Sequence, residues 1–149
     1  MSPVPCLLGL ILLAAPLGAQ SGANDSLAVI ETVQRYYAAL RVGDTAMVAR
    51  LLSPKFIFIQ RGEVRNLAGM RGEDGIDGLL RWHQQTLRSP GTAHAGITPA
   101  MAYAWTTTEF SAKSRPDLFK GVEVELFVLT RRREAWMIEA VHTSLKDRE

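Results

Sequence analysis

The chain has 149 residues, of which 47% are hydrophobic and 21% charged, and its mean hydropathy is +0.02. This composition is typical of one soluble globular domain, and it excludes a disordered tail, a fibre and a protein with several membrane spans. The 17 basic and 15 acidic residues leave a formal net charge of +2, which gives no reason to expect a nucleic-acid partner or an anionic membrane.

The amino-terminal segment carries no charged side chain before Asp25, and residues 6–15 form an unbroken apolar run. A run of about ten residues is too short to cross a bilayer as a helix, but it suits the core of a secretory signal peptide. Small residues follow, so we expect a signal peptide within residues 1–23 that is cleaved after Ala19 or Ala23, and an exported, periplasmic or extracellular domain. The alternatives are a buried amino-terminal helix and an uncleaved anchor.

Cys6 is the only cysteine, and it would be removed with the signal peptide. The mature domain would then have no disulfide and no thiol nucleophile, and a hydrophobic core alone would stabilise it.

Three helices are predicted in the first half of the mature chain. The first has an apolar stripe at helical spacing, and Asn24, Asp25 or Ser26 can cap its start. It ends at Gly43, and a second short helix follows over residues 45–52 with Asp44 as its cap. A third helix is predicted from about Glu73 to Arg88. The stripe of the first helix comprises Leu27, Val29, Ile30, Val33, Tyr36, Tyr37 and Leu40.

Strands account for most of the remaining residues. Residues 55–61 read as a strand, followed by a turn at Gly62-Glu63 and a short return strand that ends near Asn66. Further strands are predicted over 93–110 (interrupted at Pro99), 121–131 and 134–144, the last two joined by a turn at Arg132-Arg133. This order predicts an α+β domain with three helices packed against one curved antiparallel sheet.

Several short motifs occur in an order that resembles one fold superfamily. They are Val33-Gln34-Arg35-Tyr36, Gly43-Asp44, Phe56 to Gln60, Gly72 with Ile76, and Trp136-x-Ile138-x-x-x-His142-x-Ser144. In this order they resemble the nuclear transport factor 2-like superfamily, which includes SnoaL-like proteins and ketosteroid isomerases. The last motif is similar to domain-of-unknown-function family 4440. The resemblance covers nearly all of residues 25–146, and it implies a cone-like sheet, a small apolar ligand inside the cone and a homodimer formed through the sheet.

The resemblance to ketosteroid isomerases is incomplete at the catalytic positions. These enzymes use a tyrosine of the first helix as a hydrogen-bond donor, and Tyr36 occupies that position. Their aspartate base on the first strand is replaced by Gln60, and their second, protonated aspartate would fall near Glu125 or Leu126. A neutral amide cannot accept a proton near pH 7, so ordinary isomerase chemistry is not expected.

Side-chain alternation on the last predicted strand places Trp136, Ile138, His142 and Ser144 on one face. Because Trp136 and Ile138 mark that face as buried, we expect His142 to point inward, either as an acid/base group or as a buried histidine satisfied by Ser144. The predicted ligand pocket comprises Tyr36, Phe58, Gln60, Trp105, Trp136 and His142, and we expect Phe110 and Phe127 on the opposite strand faces to form the dimer interface.

Three hypotheses about function remain open. The first is a domain that binds a small, largely apolar molecule in its cone. The second is an enzyme of isomerase, cyclase or dehydratase type that uses His142 with Tyr36. The third is a non-catalytic association domain. The three histidines are far apart in sequence and no motif with metal-ligand spacing occurs, so we expect no metal, and we expect no other cofactor.

Overall fold

The computed structural model describes residues 17–67, 75–98, 100–117 and 119–147. Its helices are α1 (Leu17–Val42), α2 (Thr45–Leu51) and α3 (Ile76–Gln85). Its strands are β1 (Leu52–Gln60), β2 (Glu63–Asn66), β3 (Thr86–Pro90), β4 (His94–Ile97), β5 (Ala102–Ala112), β6 (Lys120–Arg132) and β7 (Ala135–Asp147).

The strands of the described residues form one sheet in the order β2-β1-β7-β6-β5-β3, and β4 also pairs with β5. The helices pack against this curved sheet, so the predicted α+β class is confirmed. One detail differs, because β1 runs parallel to β7 while the other pairs are antiparallel. The sheet is therefore mixed rather than wholly antiparallel.

The first helix is longer than predicted. It begins at Leu17, so Asn24, Asp25 and Ser26 lie inside the helix and do not cap it. Cys6 and the predicted apolar run lie outside the described residues. Within the described part of the chain, no helix is long and apolar enough to span a membrane.

The other element boundaries follow local chemistry. Asp44 caps α2 as predicted, because its carboxylate accepts a hydrogen bond of 2.8 Å from the backbone N–H of Met47. The third helix ends at Gln85 instead of Arg88, because residues 86–90 pair with β5 as strand β3. Its predicted start at Glu73 lies outside the described residues, as does Pro99. The two hairpin turns occupy Arg61-Gly62 and Arg133-Glu134, each one residue away from its predicted place.

The core lies between α1 and the inner face of the sheet. Tyr36 and Phe127 are both fully buried there, and their rings meet edge to face with centroids 5.8 Å apart. The expectation that Phe110 and Phe127 form a dimer interface is wrong, since both are buried on the inner face. The aromatic side chains of Tyr103 and Trp105 lie on the outer face instead, because small residues at 102 and 104 alternate inward on β5.

An irregularity in β7 decides which side chains point inward. Val128 pairs with Ala140 but Leu129 pairs with Ile138, so β7 carries one extra residue, Glu139, at this point. An inserted residue moves every later side chain to the opposite face of a strand. Ile138 is buried before the bulge and Val141 after it. The prediction that His142 shares the buried face of Ile138 is therefore wrong, and His142 and Ser144 are exposed on the outer face.

Candidate functional site

A cavity of about 550 Å³ opens between α1, the end of α3 and the inner face of β3 and β5. Apolar and polar side chains both line it, and they come from elements that are distant in sequence. The lining residues are Val33, Gln34, Tyr37, Ala38 and Arg41 from α1; His83 and Gln84 from α3; Thr86, Leu87, Arg88 and Pro90 from β3; Gly91, Ala93, Thr106, Thr108 and Lys113.

Tyr37 connects this cavity to a buried carboxyl group on β6. Its hydroxyl donates a hydrogen bond of 2.5 Å to Glu125 Oε2, and it lies 2.6 Å from Thr106 Oγ1. Glu125 is also 3.4 Å from the hydroxyl of Thr143, which donates to Oε1. Burial raises the pKa of Glu125 above its usual range, although the Tyr37 hydrogen bond, the Arg88 charge and the Thr143 hydrogen bond oppose the shift. Burial together with Glu125 also raises the pKa of Tyr37.

Arg88 is the largely buried cation among the lining residues of the cavity. Its Nη2 forms an ion pair with Glu123 on β6 and lies 4.0 Å from Glu125 Oε2. The ion pair is largely removed from water, since the Arg88 side chain is 12% exposed and that of Glu123 is 3% exposed. A guanidinium has five N–H donors, and the other terminal nitrogen, Nη1, is buried with no hydrogen-bond partner among the described residues.

His83 is a buried, uncharged histidine at neutral pH. Burial, followed by the nearby charge of Arg88, lowers the pKa of His83 to about 3. Its ring lies 6.0 Å from that of Tyr37, and within the described part of the chain Nε2 has no hydrogen-bond partner. Most buried polar atoms in folded proteins are hydrogen bonded. The unpartnered atoms of His83 and Arg88 belong to residues that line the cavity, whereas those of Tyr36 and Trp82 belong to residues that do not.

The six residues of the pocket predicted from sequence do not line this cavity. Three of them, Tyr36, Phe58 and Trp136, belong instead to the hydrophobic core. Gln60 is half-buried at the end of β1. Trp105 and His142 lie on the outer face of the sheet, where Trp105 stacks on the ring of His94 at 4.9 Å. The proposed catalytic pair of His142 and Tyr36 is thus split between the two sides of the sheet.

The residues that do meet at the cavity were weakly signalled in the sequence. Tyr37 was visible only as a member of the apolar stripe beside Tyr36. Glu123 and Glu125 alternate with Val122 and Val124 on one strand and share the face of Phe127, which would have marked that face as inward. His83 was visible only on the apolar side of the predicted third helix, and Arg88 gave no pattern. Among the described residues no group of three metal-ligating side chains occurs.

Comparison with known proteins places this architecture in a family. The model of the SnoaL-like domain matches residues 29–147. The fold is similar to a candidate ketosteroid isomerase from Shewanella frigidimarina, with 21% identity over 76% of this chain and 92% of that one and a TM-score of 0.69.

Two further solved structures show the same likeness. A candidate dehydratase of the NTF2-like family from Streptomyces avermitilis is 17% identical over 82% of this chain and 96% of that one, with a TM-score of 0.61. A protein with a cystatin-like fold from Caulobacter vibrioides is 14% identical over 85% and 90%, with a TM-score of 0.64. At these identities the likeness shows the fold alone. A search of curated proteins finds no match.

Proposed function

Because this chain belongs to the SnoaL-like domain family, we propose that it binds a small, largely apolar molecule in the cavity beside Tyr37. One observation carries the proposal: a cavity of about 550 Å³ is lined by apolar side chains together with His83 and Arg88, and each of these two has a buried polar atom without a partner among the described residues. Ligand sites typically enclose roughly 300–1,000 Å³ and combine apolar walls with a few placed polar groups. Val33, Leu87 and Pro90 supply apolar wall here.

A variant that fills the cavity tests this proposal. Ala38 lies on the cavity side of α1, so Ala38→Trp is expected to occupy the space needed by a ligand. The wild type would be screened against sterols, polyketides, lipids and aromatic acids. Compounds of one chemical class should raise its melting temperature by several degrees. The shift should disappear in Ala38→Trp and persist in Ala49→Trp, whose exposed position on α2 is outside the cavity. A shift that survives in Ala38→Trp would contradict binding at this site.

An isomerase, cyclase or dehydratase activity is the second candidate. The pair of Tyr37 and Glu125 favours it, because burial raises the pKa of Glu125, and in its protonated form Glu125 can donate to the Tyr37 oxygen and leave the phenol proton for a substrate oxygen. His83 would act as a neutral hydrogen-bonding group, since a base with a pKa of about 3 takes up few protons at pH 7. Turnover of a bound compound that is lost in Tyr37→Phe would support this activity. Full turnover in that variant would exclude Tyr37 from it.

Association of two copies through the outer face of the sheet is part of the proposal. Exposed apolar side chains cluster there on β5 and β6, namely Tyr103, Trp105, Val124 and Leu126, and apolar patches of this kind mark interaction sites. A two-fold dimer would cover the same patch on both subunits. Light scattering should then give twice the chain mass for the wild type and for Val42→Lys, which changes an exposed apolar residue elsewhere. Trp105→Lys should give a monomer, and an unchanged dimer would contradict this interface.

Export is proposed from the apolar run of residues 6–15 and the small residues that follow it. Both expected cleavage positions, Ala19 and Ala23, precede Val29, the first buried side chain described in α1. Mass spectrometry of the protein from an exporting host should find a new amino terminus at residue 20 or 24. An intact Met1 in the exported or cell-associated protein would contradict the proposal.

A further inference from the structure

The charges around the cavity are all of one sign. Arg41, Arg88 and Lys113 line it, and none of its described lining residues carries a carboxylate. Glu123 and Glu125 lie behind this wall on β6, where Arg88 and Tyr37 contact them. A ligand inside the cavity therefore meets cationic and neutral donors before it meets any acid.

The three cations differ in burial. Arg88 is largely buried, and its Nη2 is committed to Glu123 while Nη1 has no partner among the described residues. Arg41 and Lys113 are exposed, and no described carboxylate forms an ion pair with either of them. Lys113 Nζ instead donates a hydrogen bond of 2.5 Å to the carbonyl oxygen of Gln84.

From this arrangement we infer that the ligand is an amphipathic organic acid, bound as its carboxylate. The inference rests on the proposed function and names its ligand class. The carboxylate lies against the cationic side chains of the cavity lining, and the apolar body of the ligand packs against Val33, Leu87 and Pro90. Arg41 and Lys113 attract the anion toward the cavity. A neutral ligand of the same shape would gain none of this attraction to the cations.

Matched acids and amides test the charge of the ligand separately from its shape. Isothermal titration at pH 7.5 would compare 2-naphthoate with 2-naphthamide, and octanoate with octanamide. Hydrogen bonds to charged groups predict that each acid binds about 10- to 100-fold more tightly than its amide. Ala38→Trp should abolish binding of the acids, which would locate them in the cavity.

Variants of the exposed cations keep the test independent of folding, because Arg88 also holds the buried Glu123. Arg41→Met and Lys113→Met should each weaken binding of the acids several-fold and leave binding of the amides unchanged. Arg50→Met removes an equal charge from an exposed site on α2, outside the cavity, and should leave both affinities unchanged. An equal loss in Arg50→Met would assign the effect to net charge and overturn the inference.

Two other outcomes would overturn it. Amides that bind as tightly as the acids would show that charge is not recognised, while the cavity would still bind small molecules and the proposed function would stand. No binding of either acid at about 1 mM would also overturn the inference. The proposed function would fail as well if the wider melting-temperature screen found no ligand, or only ligands whose shift survives in Ala38→Trp.

Discussion

Replacement of Arg88 by methionine is expected to lower the free energy of unfolding by about 3–5 kcal/mol, because it leaves Glu123 buried without its cationic partner. The Glu123 side chain is only 3% exposed, so water cannot replace the lost guanidinium. The same change also removes the positive charge 4.0 Å from Glu125. Urea denaturation followed by circular dichroism at pH 7 would measure the effect.

The double variant Arg88→Met/Glu123→Leu separates an unpaired charge from a general loss of packing. Replacing both members of a buried ion pair with apolar residues is often neutral, so most of the stability should return. Arg65→Met is the matched surface control, because its partner Glu63 is 65% exposed and the change should cost less than about 1 kcal/mol. If Arg88→Met and the double variant lose the same free energy of unfolding, an unpaired buried carboxylate is not the cause of the loss.

The order of elements could be predicted from the sequence because it depends on local signals. The helical stripe of α1, the Asp44 cap and the glycine turn at residue 62 each act over a few residues. The predicted element boundaries were wrong where a tertiary contact determines the end of an element. Residues 86–88 continue a helical pattern in sequence, yet they pair with residues 110–112 of β5 and become a strand.

The site could not be predicted in the same way, and β7 shows the main reason. Strict alternation after Ile138 would place His142 inside, but the extra residue at Glu139 turns it outward. A bulge leaves no reliable mark in a single sequence, since both faces of the strand carry mixed side chains. An error of one residue therefore exchanged the two faces of the strand and moved the predicted catalytic residue away from the cavity.

The polar residues of the cavity were hidden for a second reason. Glu123 gave no sign of its burial, because carboxylates are rarely buried, and Glu125 was marked only by the resemblance, which placed the protonated aspartate of the isomerases near Glu125 or Leu126. Their burial depends on Arg88 from β3 and Tyr37 from α1, which are distant in sequence. Tyr36 and Tyr37 are neighbours on one wide apolar stripe, and helical periodicity alone does not show that Tyr36 faces the core while Tyr37 reaches the cavity.

Lowering the pH from 7 to 5 is expected to reduce the free energy of unfolding by about 2 kcal/mol through His83 alone. Its pKa is lowered from the ordinary value of 6.5 to about 3, because the side chain is buried and close to Arg88. Between these two values the unfolded chain binds a proton that the folded protein does not bind. The contribution of His83 is therefore fully present above pH 6.5 and is lost as the pH falls toward 3.

His83→Gln tests this prediction, since glutamine keeps a polar side chain but does not titrate. Its stability should fall by about 2 kcal/mol less than that of the wild type between pH 7 and pH 5. Glu125 acts in the opposite direction, because a raised pKa makes the folded state lose stability as the pH rises above 4.5. The wild type and His83→Gln both contain Glu125, so the difference between their pH dependences of stability reports the contribution of His83. Equal pH dependence in His83→Gln and in the wild type would contradict a buried, neutral His83.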